Sequence, residues 1–519
     1  MKKIGYILIA ILLLAGCFKD DSNTNIQELN PIVIEWAGGT QLSVNQMDTL
    51  RVEPLIFCEG VPDAELSYEW MFMNFGQIVP KYLDSTMYFC AQITDAPGTY
   101  TLRLTVTDET TGIFRIQTFS VQVLSNFSEG LLVADTKDGG VTSDVNLVIS
   151  REFNSYYDKD NEERNIYRDI WASVNGTPFD GQVLTANVGN GYGSNQSATF
   201  VTTKDIYRAD YRDYVVEKTG DDCFFVPPHF SGQDITSAIL TYRSNGTWEA
   251  LAINGLFYER NLQNDGRHYG VAVYPAGVSD YYISMMIYPV NGYTMYPTYA
   301  YDALGKRMLF FNGSTGYKPV DQLSGPFDVN DLSGYDALYL GQTMQGPFLL
   351  ADNMETGARQ ILMMNYVTYA EVSNSSRFAN AIYDASAAPN IGQARYYAAS
   401  RIGNAIYYAT ENQVYAGPVD NMANSSLQWA ADPGETITGI TVYDWTGGQH
   451  YYEGTDGNDA SQNSEGHLLL IATQKSDGEG KLTCVPIIHQ HVGQLEQNKK
   501  YHVVLEGFGK ILGVYKQIN

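Results

Sequence analysis

Tyrosine is the side chain through which this sequence could most directly bind a ligand, because it occurs 39 times. Its ring offers a flat apolar face with a hydroxyl at the rim, which sugar rings and peptide side chains both exploit. Most tyrosines are expected to pack within strands, where this residue type is common. One dense cluster has proline and glycine nearby, which predicts a loop. We expect ligand-binding residues in this cluster, which consists of Tyr293, Tyr296, Tyr299 and Tyr301.

Carboxyl groups suggest a second chemistry, because glycosidases use paired Asp and Glu side chains. The chain contains 58 acidic residues, so the presence of pairs by itself indicates nothing. The segment Ser244–Trp248 is similar to the end of the sialidase Asp box, but it is one residue short and that box is a turn motif. The sequence contains no nucleophile elbow, zinc-protease helix or phosphate-binding loop. A glycan-active hydrolase therefore stays an alternative and not the leading hypothesis.

Metal-binding patterns are equally incomplete. His489 and His491 alternate on one face of a predicted strand, but no third ligand accompanies them. The segment Glu453–Asp459 has oxygen ligands suited to calcium, although it lacks the register of an EF-hand loop. We predict a long polar loop from Tyr452 to Gly466. No metal or other cofactor is expected, and calcium is the one ion left open.

Four cysteines follow the first seventeen residues, which is compatible with one or two bridges in an oxidising compartment. Cys58 and Cys90 lie in strand-like runs of the same small region, and we expect a disulfide between them. Cys223 and Cys484 lie far apart in the sequence and are expected to behave as buried apolar side chains.

The pattern of the N-terminal segment 1–17 predicts an export signal. Lys2 and Lys3 precede an apolar run from Ile4 to Leu14, which is too short for a permanent membrane helix. Small residues then lead to Cys17, a pattern that resembles the lipobox of bacterial lipoproteins. The resemblance implies cleavage before Cys17 and acylation of that residue, so that lipid chains hold the protein at a membrane. The alternative is an ordinary secretory signal with an incidental cysteine.

The residues after Cys17 refine the expected destination. Lys19, Asp20 and Asp21 resemble the acidic signal that directs Bacteroidetes lipoproteins to the outer face of the outer membrane, although a charged linker would look the same. Segment 18–30 is polar and lacks periodicity, which predicts a flexible tether. The resemblance therefore implies a lipid-anchored outer-membrane protein that faces the cell exterior.

Overall composition indicates a folded protein and excludes some partners. Hydrophobic residues make up 44% of the chain and charged residues 17%, which suits a large packed core. The formal net charge of -26 argues against nucleic acid and against anionic lipid headgroups, because both would be repelled. We expect no nucleic-acid partner.

Residues 31–125 are predicted to form a β-sandwich, because short apolar and polar alternations are separated by turns. Segment Asp95–Asp108 resembles the "pGtYtvtltVtD" end of PKD domains, and Tyr68–Trp70 resembles their "YsW" strand. Trp70 is expected to fill the core, and Tyr100 to pack across a corner of the sandwich. The glycine-aspartate-glycine turn of typical PKD domains is missing, so the domain is PKD-like.

Residues 126–519 repeat a different pattern, in which strands of four to seven residues alternate with Gly, Asn and Asp turns. This pattern is typical of a degenerate β-propeller, and the length suits about six to eight blades. Two further sandwiches are the alternative, although the chain shows no proline-rich linkers of the kind that separate such domains. The fold class is therefore all-β, with a PKD-like (Ig-like) sandwich followed by a propeller-like domain.

Taken together, these features resemble the PKD-like family lipoproteins of Bacteroidetes. The resemblance implies an accessory lipoprotein of SusC/SusD-type outer-membrane nutrient import systems. The leading hypothesis is a non-enzymatic subunit that binds an oligosaccharide or an oligopeptide. The alternatives are the glycan-active hydrolase and a purely structural subunit of an outer-membrane assembly.

Overall fold

The computed structural model describes thirteen segments of the chain. The chain divides into two compact units between Leu124 and Ser125. The described residues are 30–74, 81–95, 98–124, 127–189, 197–228, 234–242, 248–262, 268–289, 296–312, 315–317, 325–372, 378–455 and 457–518. None of the helices in these segments has the length and hydrophobicity that crossing a bilayer requires.

The first unit is a β-sandwich built from nine strands of the described residues. These strands are β1 (Ile32–Glu35), β2 (Gln41–Asn45), β3 (Thr49–Val52), β4 (Leu55–Cys58), β5 (Leu66–Asn74), β6 (Lys81–Asp84), β7 (Phe89–Gln92), β8 (Gly98–Asp108) and β9 (Phe114–Leu124). The main sheet has the order β2-β9-β8-β5-β6, and β1-β4 and β3-β7 form two-stranded sheets.

The sandwich core confirms the role expected of Trp70. Trp70 is fully buried, and its ring lies 5.4 Å from that of Phe89 and 6.1 Å from that of Phe119. Its indole Nε1 donates to the carbonyl of Thr86 at 3.0 Å, so the polar atom of this buried side chain is satisfied. Tyr100 stacks on Phe72 with ring centroids 4.7 Å apart.

The second unit is a ring of small antiparallel sheets. The first three blades contain β10 (Gly130–Thr136), β11 (Thr142–Ile149), β12 (Asn165–Tyr167) and β13 (Phe179–Asp180); then β14 (Val183–Val188), β15 (Ala198–Thr202), β16 (Ile206–Ala209) and β17 (Val216–Thr219); then β18 (Ala238–Tyr242), β19 (Trp248–Ile253) and β20 (Leu256–Asn261). The helix α1 (Ile170–Asn175) lies between β12 and β13.

The remaining sheets follow in the same style. They contain β21 (Ile283–Ile287), β22 (Thr298–Asp302), β23 (Arg307–Asn312) and β24 (Thr315–Tyr317); then β25 (Tyr335–Thr343), β26 (Gly346–Asn353), β27 (Arg359–Met364) and β28 (Ala379–Asp384); then β29 (Tyr396–Ala399), β30 (Ala405–Ala409), β31 (Gln413–Pro418) and β32 (Ser426–Ala430). The short helix α2 (Tyr369–Val372) lies between β27 and β28.

The last sheet carries an insertion. Its strands are β33 (Glu435–Val442), β36 (Leu468–Lys475), β37 (Gly480–His489), β38 (Gln494–Leu495) and β39 (Val503–Phe508). Between β33 and β36 the chain forms a separate two-stranded hairpin of β34 (Gln449–Glu453) and β35 (Asp459–Asn463). The long polar loop predicted from Tyr452 is therefore in part a regular hairpin, in which every residue of β35 pairs with β34 and exposed positions alternate with half-buried ones.

The final strand, β40 (Lys510–Gln517), closes the ring. It pairs antiparallel with β10, so the C-terminal strand becomes the innermost strand of the first blade. It also meets β14 of the second blade through one parallel pair, Val188 and Gln517. In the described residues these two blades share a nine-stranded sheet and five further sheets form one blade each, which gives seven blades.

The innermost strands lie side by side around the ring in the order β40, β14, β18, β21, β25, β29, β33 and back to β40. A radial arrangement of blades leaves only short outer edge strands, which limits pairing with other chains. Apolar side chains fill the spaces between blades, as Leu131, Leu470 and Leu482 do between the first and the last. The prediction of an all-β chain with a PKD-like sandwich and a propeller-like domain is confirmed.

Two sides of the ring are distinguished by their connections. Because successive strands of a blade run in opposite directions, the links from first to second and from third to fourth strand lie on one side, which we call the upper face. The segment between β11 and β12 and the β34–β35 hairpin both belong to the upper face. We call the junction between the seventh and first blades the seam.

Candidate ligand-binding cleft

A cleft of about 460 Å³ opens on the upper face at the seam. One wall is the segment between β11 and β12 of the first blade, and the other is the β34–β35 hairpin of the last blade. The lining residues are Arg151, Asn154, Ser155, Tyr157, Lys159, Gly447, Gly448, Gln449 and Asn463. The volume falls within the range typical of small-molecule sites.

Direct bonds hold the two walls together. The backbone N–H of Gln449 donates to the carbonyl of Arg151 at 2.7 Å, and the hydroxyl of Tyr451 donates to the carbonyl of Lys159 at 3.3 Å. The Arg151 guanidinium lies over the Tyr451 ring, 4.4 Å from its centroid, and Nη1 also donates to the Lys159 carbonyl at 3.2 Å. Arg151 therefore bridges both walls.

Two glycines allow the hairpin to approach the first blade. Gly447 and Gly448 have φ values of 94° and 87°, in the left-handed region that favours glycine. A Cβ atom on Gly447 would lie 2.0 Å from Glu129 Oε1, and one on Gly448 would lie 2.0 Å from the carbonyl of Glu152. Side chains at either position would force the walls apart.

A buried ion pair lies beneath the cleft. Lys516 Nζ lies 2.8 Å from Glu129 Oε1, and it donates to the hydroxyl of Tyr443 at 2.7 Å and to the carbonyl of Phe153 at 2.5 Å. Burial lowers the pKa of Lys516 to about 8, although the neighbouring carboxylate opposes the shift. The last strand of the chain thus supports the floor of the site.

Glu129 connects this buried ion pair to the residues that line the cleft. Its carboxylate accepts hydrogen bonds from the backbone N–H of Ser155 at 2.9 Å and from the Ser155 hydroxyl at 3.1 Å. The side-chain amide of Asn154 donates to the Glu129 carbonyl at 2.7 Å. The backbone of the first wall is therefore fixed before any ligand arrives, which reduces the entropic cost of binding.

The hairpin is also attached to the sixth blade. Asp444, two residues after β33, accepts from the Ser400 hydroxyl at 2.8 Å and from the backbone N–H of Arg401 at 3.4 Å. Burial raises the pKa of Asp444 to about 6. Arg401 in turn forms an ion pair with Glu465 at the other end of the insertion. The insertion thus contacts the sixth blade on one side and the first blade on the other.

His450 lies within the hairpin and is 2% exposed. Burial lowers its pKa to about 3, and nearby His467 adds to this shift. The Gln462 side-chain amide lies 3.0 Å from His450 Nε2, which fits a neutral imidazole accepting at that nitrogen. The hairpin therefore contains a histidine that is uncharged in the folded protein at neutral pH.

The prediction that the tyrosine cluster binds a ligand is wrong for the members that the structure describes. Tyr299 and Tyr301 are 0% and 2% exposed and lie in β22. Tyr296 is 7% exposed and packs against Tyr366 with ring centroids 5.1 Å apart. The Tyr299 hydroxyl accepts from the backbone N–H of Val367 at 2.9 Å, as expected of a core residue. The loop ends before Thr298, and both sides of β22 are covered by neighbouring blades.

The expected disulfide is also contradicted. Cys58 is buried and Cys90 is exposed, and both thiols are free. Cys58 lies in β4, which pairs with β1, whereas Cys90 lies in β7, which pairs with β3. The two residues therefore belong to different sheets and their side chains have different environments. Cys223 and Cys484 are buried, as expected of apolar side chains.

Some predicted residues lie outside the described part of the chain. They are Cys17, Lys19, Asp20, Asp21 and Tyr293. Of the segment considered for calcium, Asp456 lies outside the described residues, and the carboxylate of Asp459 accepts from Lys500 Nζ and from the Tyr501 hydroxyl, each at 2.7 Å. Within the described residues no group of three metal-ligating side chains converges.

The cleft residues carried only weak signals in the sequence. Tyr157 and Tyr451 each belong to a doubled tyrosine, and Gly447 and Gly448 form a glycine pair after Trp445. Such pairs occur elsewhere in the chain, so they indicate turns and strands without indicating a site. Arg151 and Lys159 have no motif, and only the meeting of the first and last blades brings them to the hairpin.

Comparison with known proteins gives one family match. The sequence profile of a family described as PKD-like matches residues 17–182, which include the described sandwich and continue into the first blade. A comparison with curated protein sequences finds no match.

Solved structures offer distant similarities in fold. A "Quinonprotein alcohol dehydrogenase-like protein" from Bacteroides thetaiotaomicron has a TM-score of 0.41 and 13% identity, over 92% of this chain and 99% of that one. The WD40 domain of SCAP from fission yeast has a TM-score of 0.33 and 8% identity, over 63% and 74%. Citrobacter koseri AztD has a TM-score of 0.30 and 10% identity, over 86% and 100%. The seven-bladed ring described above depends on the strand pairing of this chain alone.

Proposed function

We propose that this protein is a surface-exposed, lipid-anchored protein of the outer membrane, which captures an oligosaccharide or oligopeptide as an accessory subunit of a SusC/SusD-type import complex. The observation that carries the proposal is the cleft at the seam, with its two walls joined through Arg151 and Tyr451. A preformed concavity with a few converging polar groups is typical of a small-molecule site.

The proposed action is capture without chemical turnover. The lining supplies side-chain amides from Gln449 and Asn463, hydroxyls from Ser155 and Tyr157, and two cations. These groups donate and accept hydrogen bonds to a polar ligand and fix its orientation. Rigid blades with variable connections are well suited to this role, because the strands hold the loops in place.

The proposed location is supported by the sequence around Cys17. The apolar run and small residues before Cys17 suit a lipoprotein signal, and Lys19, Asp20 and Asp21 suit outward export. The matched PKD-like segment begins at residue 17, the expected first residue of the mature protein. Replacing Cys17 with serine should release the protein from the membrane fraction, and continued attachment would contradict a lipid anchor.

The transporter association can be tested by affinity capture. Tagged full-length protein, solubilised with the outer membrane in mild detergent, should be recovered together with a TonB-dependent barrel protein and its lipoprotein lid. The Cys17→Ser protein provides a control, because it should not bring the barrel with it from the membrane. Recovery of the intact lipoprotein alone would contradict the role in an import complex.

Ligand capture can be tested separately on the soluble Cys17→Ser protein. Titration calorimetry against pools of oligosaccharides and oligopeptides should show heat of binding, while chromatography of the same mixtures should show unchanged ligand. Product formation would favour the glycan-active hydrolase. Absence of heat with every pool would favour the purely structural subunit.

A further inference from the structure

The cleft has a charge opposite to that of the protein. The chain contains 58 acidic and 32 basic residues, with a formal net charge of -26. Among the described residues that line the cleft, the charged side chains are Arg151 and Lys159, and none is a carboxylate. These two cations attract an anionic ligand locally, in competition with the Glu152 and Glu162 carboxylates that lie near Arg151.

Lys159 is available to such a ligand. Its side chain is exposed, and within the described residues its ammonium lies near no carboxylate at ion-pair distance. Its carbonyl, in contrast, accepts from both Arg151 and Tyr451, so the backbone that carries it is fixed. The ammonium is thus a free charge on an ordered wall.

Arg151 is only partly engaged. Its Nη1 donates to the Lys159 carbonyl, and its Nη2 lies 3.4 Å from Glu162, whose side chain is 79% exposed. Its Nε lies 3.6 Å from Glu152, which is held by Arg164 at 2.8 Å. Because the Glu162 side chain is exposed to solvent and its contact with Arg151 is long, the pair contributes little stability, and a ligand carboxylate that reaches Nη2 of the half-buried Arg151 can replace or share it.

The other lining groups favour a sugar over a peptide. The described lining contains no aliphatic side chain, so it offers no apolar pocket of the kind that reads peptide side chains. It offers instead the planar amides of Gln449 and Asn463, a serine hydroxyl and the Tyr157 ring. Planar hydrogen-bonding groups beside an aromatic face suit adjacent ring hydroxyls.

We infer that the cleft recognises an oligosaccharide bearing carboxylate groups, as in uronate-containing glycans, with Arg151 and Lys159 reading the carboxylates. This inference rests on the proposed capture function and specifies its ligand class.

The test is calorimetry on the soluble Cys17→Ser protein with four probes. They are a galacturonate hexamer, its methyl ester, a hyaluronan hexamer and a hexamer of glutamate. We expect at least one uronate to bind, and the neutral ester to bind about tenfold more weakly than the free acid, because each charge-assisted contact is lost. Affinity for the uronate should fall as sodium chloride rises from about 50 to about 500 mM.

Variants identify the residues involved. Lys159→Gln should weaken uronate binding about three- to tenfold and Arg151→Gln about tenfold or more, while Lys159→Arg should retain binding. Arg395→Gln is the matched control, because Arg395 is an exposed arginine, paired with Glu411 at 3.3 Å, that precedes β29 on the opposite face. If Arg151→Gln disturbs the structure of the wall, the Lys159→Gln variant still tests the inference, because the Lys159 side chain is exposed.

Several results would overturn the inference. Equal affinity for the acid and its methyl ester, or unchanged binding by Lys159→Gln, would show that the cleft does not recognise the negative charge of the ligand. Tighter binding of the glutamate hexamer would indicate an acidic peptide. Absence of binding by both uronates, with heat from a neutral oligosaccharide pool, would reject the ligand class and leave the capture function standing.

Discussion

Lys516 Nζ lies 2.8 Å from Glu129 Oε1, which joins the last strand of the chain to the residue just before the first strand of the propeller. The side chains are 1% and 8% exposed, so water screens the pair very little. One end of the chain therefore closes the ring and also supports Ser155 in the wall of the cleft.

Loss of the Lys516 ammonium should destabilise the propeller. We expect Lys516→Met to lower the free energy of unfolding by about 3 kcal/mol, because the buried Glu129 carboxylate would be left without a positive charge beside it. Lys204→Met is the control, since Lys204 and Asp234 form an exposed pair worth less than about 1 kcal/mol. Denaturant unfolding followed by tryptophan fluorescence measures both. If the double variant Lys516→Met/Glu129→Leu were as unstable as the single variant, the uncompensated charge would not be the cause.

The buried imidazole of His450 should make stability depend on pH. Its pKa falls from 6.5 to about 3 on folding, so below pH 6.5 the unfolded chain binds a proton that the folded chain does not. Stability should therefore decrease as pH falls from 6.5 toward 3. The difference in thermal midpoint between wild type and His450→Gln, recorded across this range, isolates the contribution. A constant difference would show that His450 titrates normally in the folded protein.

Two glycine variants distinguish the effect of the close approach of the hairpin at Gly448 from the cost of its left-handed backbone conformation. Gly448→Ala places a Cβ atom against the carbonyl of Glu152, whereas Gly457→Ala meets nothing within 4 Å at a φ of 75°. Both variants incur the cost of a left-handed backbone, of about 1 kcal/mol, but only Gly448→Ala should also separate the walls. We expect a larger fall in thermal midpoint and weaker ligand binding for Gly448→Ala. Equal effects would mean that the contact with Glu152 is unimportant.

Thiol reactivity should reflect the free cysteines. In the folded Cys17→Ser protein, Cys90 should react rapidly with a disulfide reagent, while Cys58, Cys223 and Cys484 should be protected by burial. Burial also raises the pKa of the Cys223 thiol to about 12, which further slows its reaction. Four thiols should react after denaturation without reductant. Only two would react then if Cys58 and Cys90 were bridged.

Local pattern was sufficient for the fold class and for parts of the sandwich. Alternating strands and frequent turns predicted an all-β chain, and the residues around Trp70 and Tyr100 predicted the sandwich core. These predictions succeed because period-two alternation follows directly from a strand with one buried side. The same logic fails for β22, whose five residues are all buried, so the tyrosines there resemble an aromatic loop when only composition is considered.

The sequence by itself determined the all-β architecture and the strong negative charge. The tertiary structure alone decided the cleft. Tyr451 and Lys159 are 292 positions apart, and they meet because β40 pairs with β10 and closes the ring. Closure is a long-range pairing that no local pattern encodes, so residues drawn together by it could not be selected from their neighbours in the sequence.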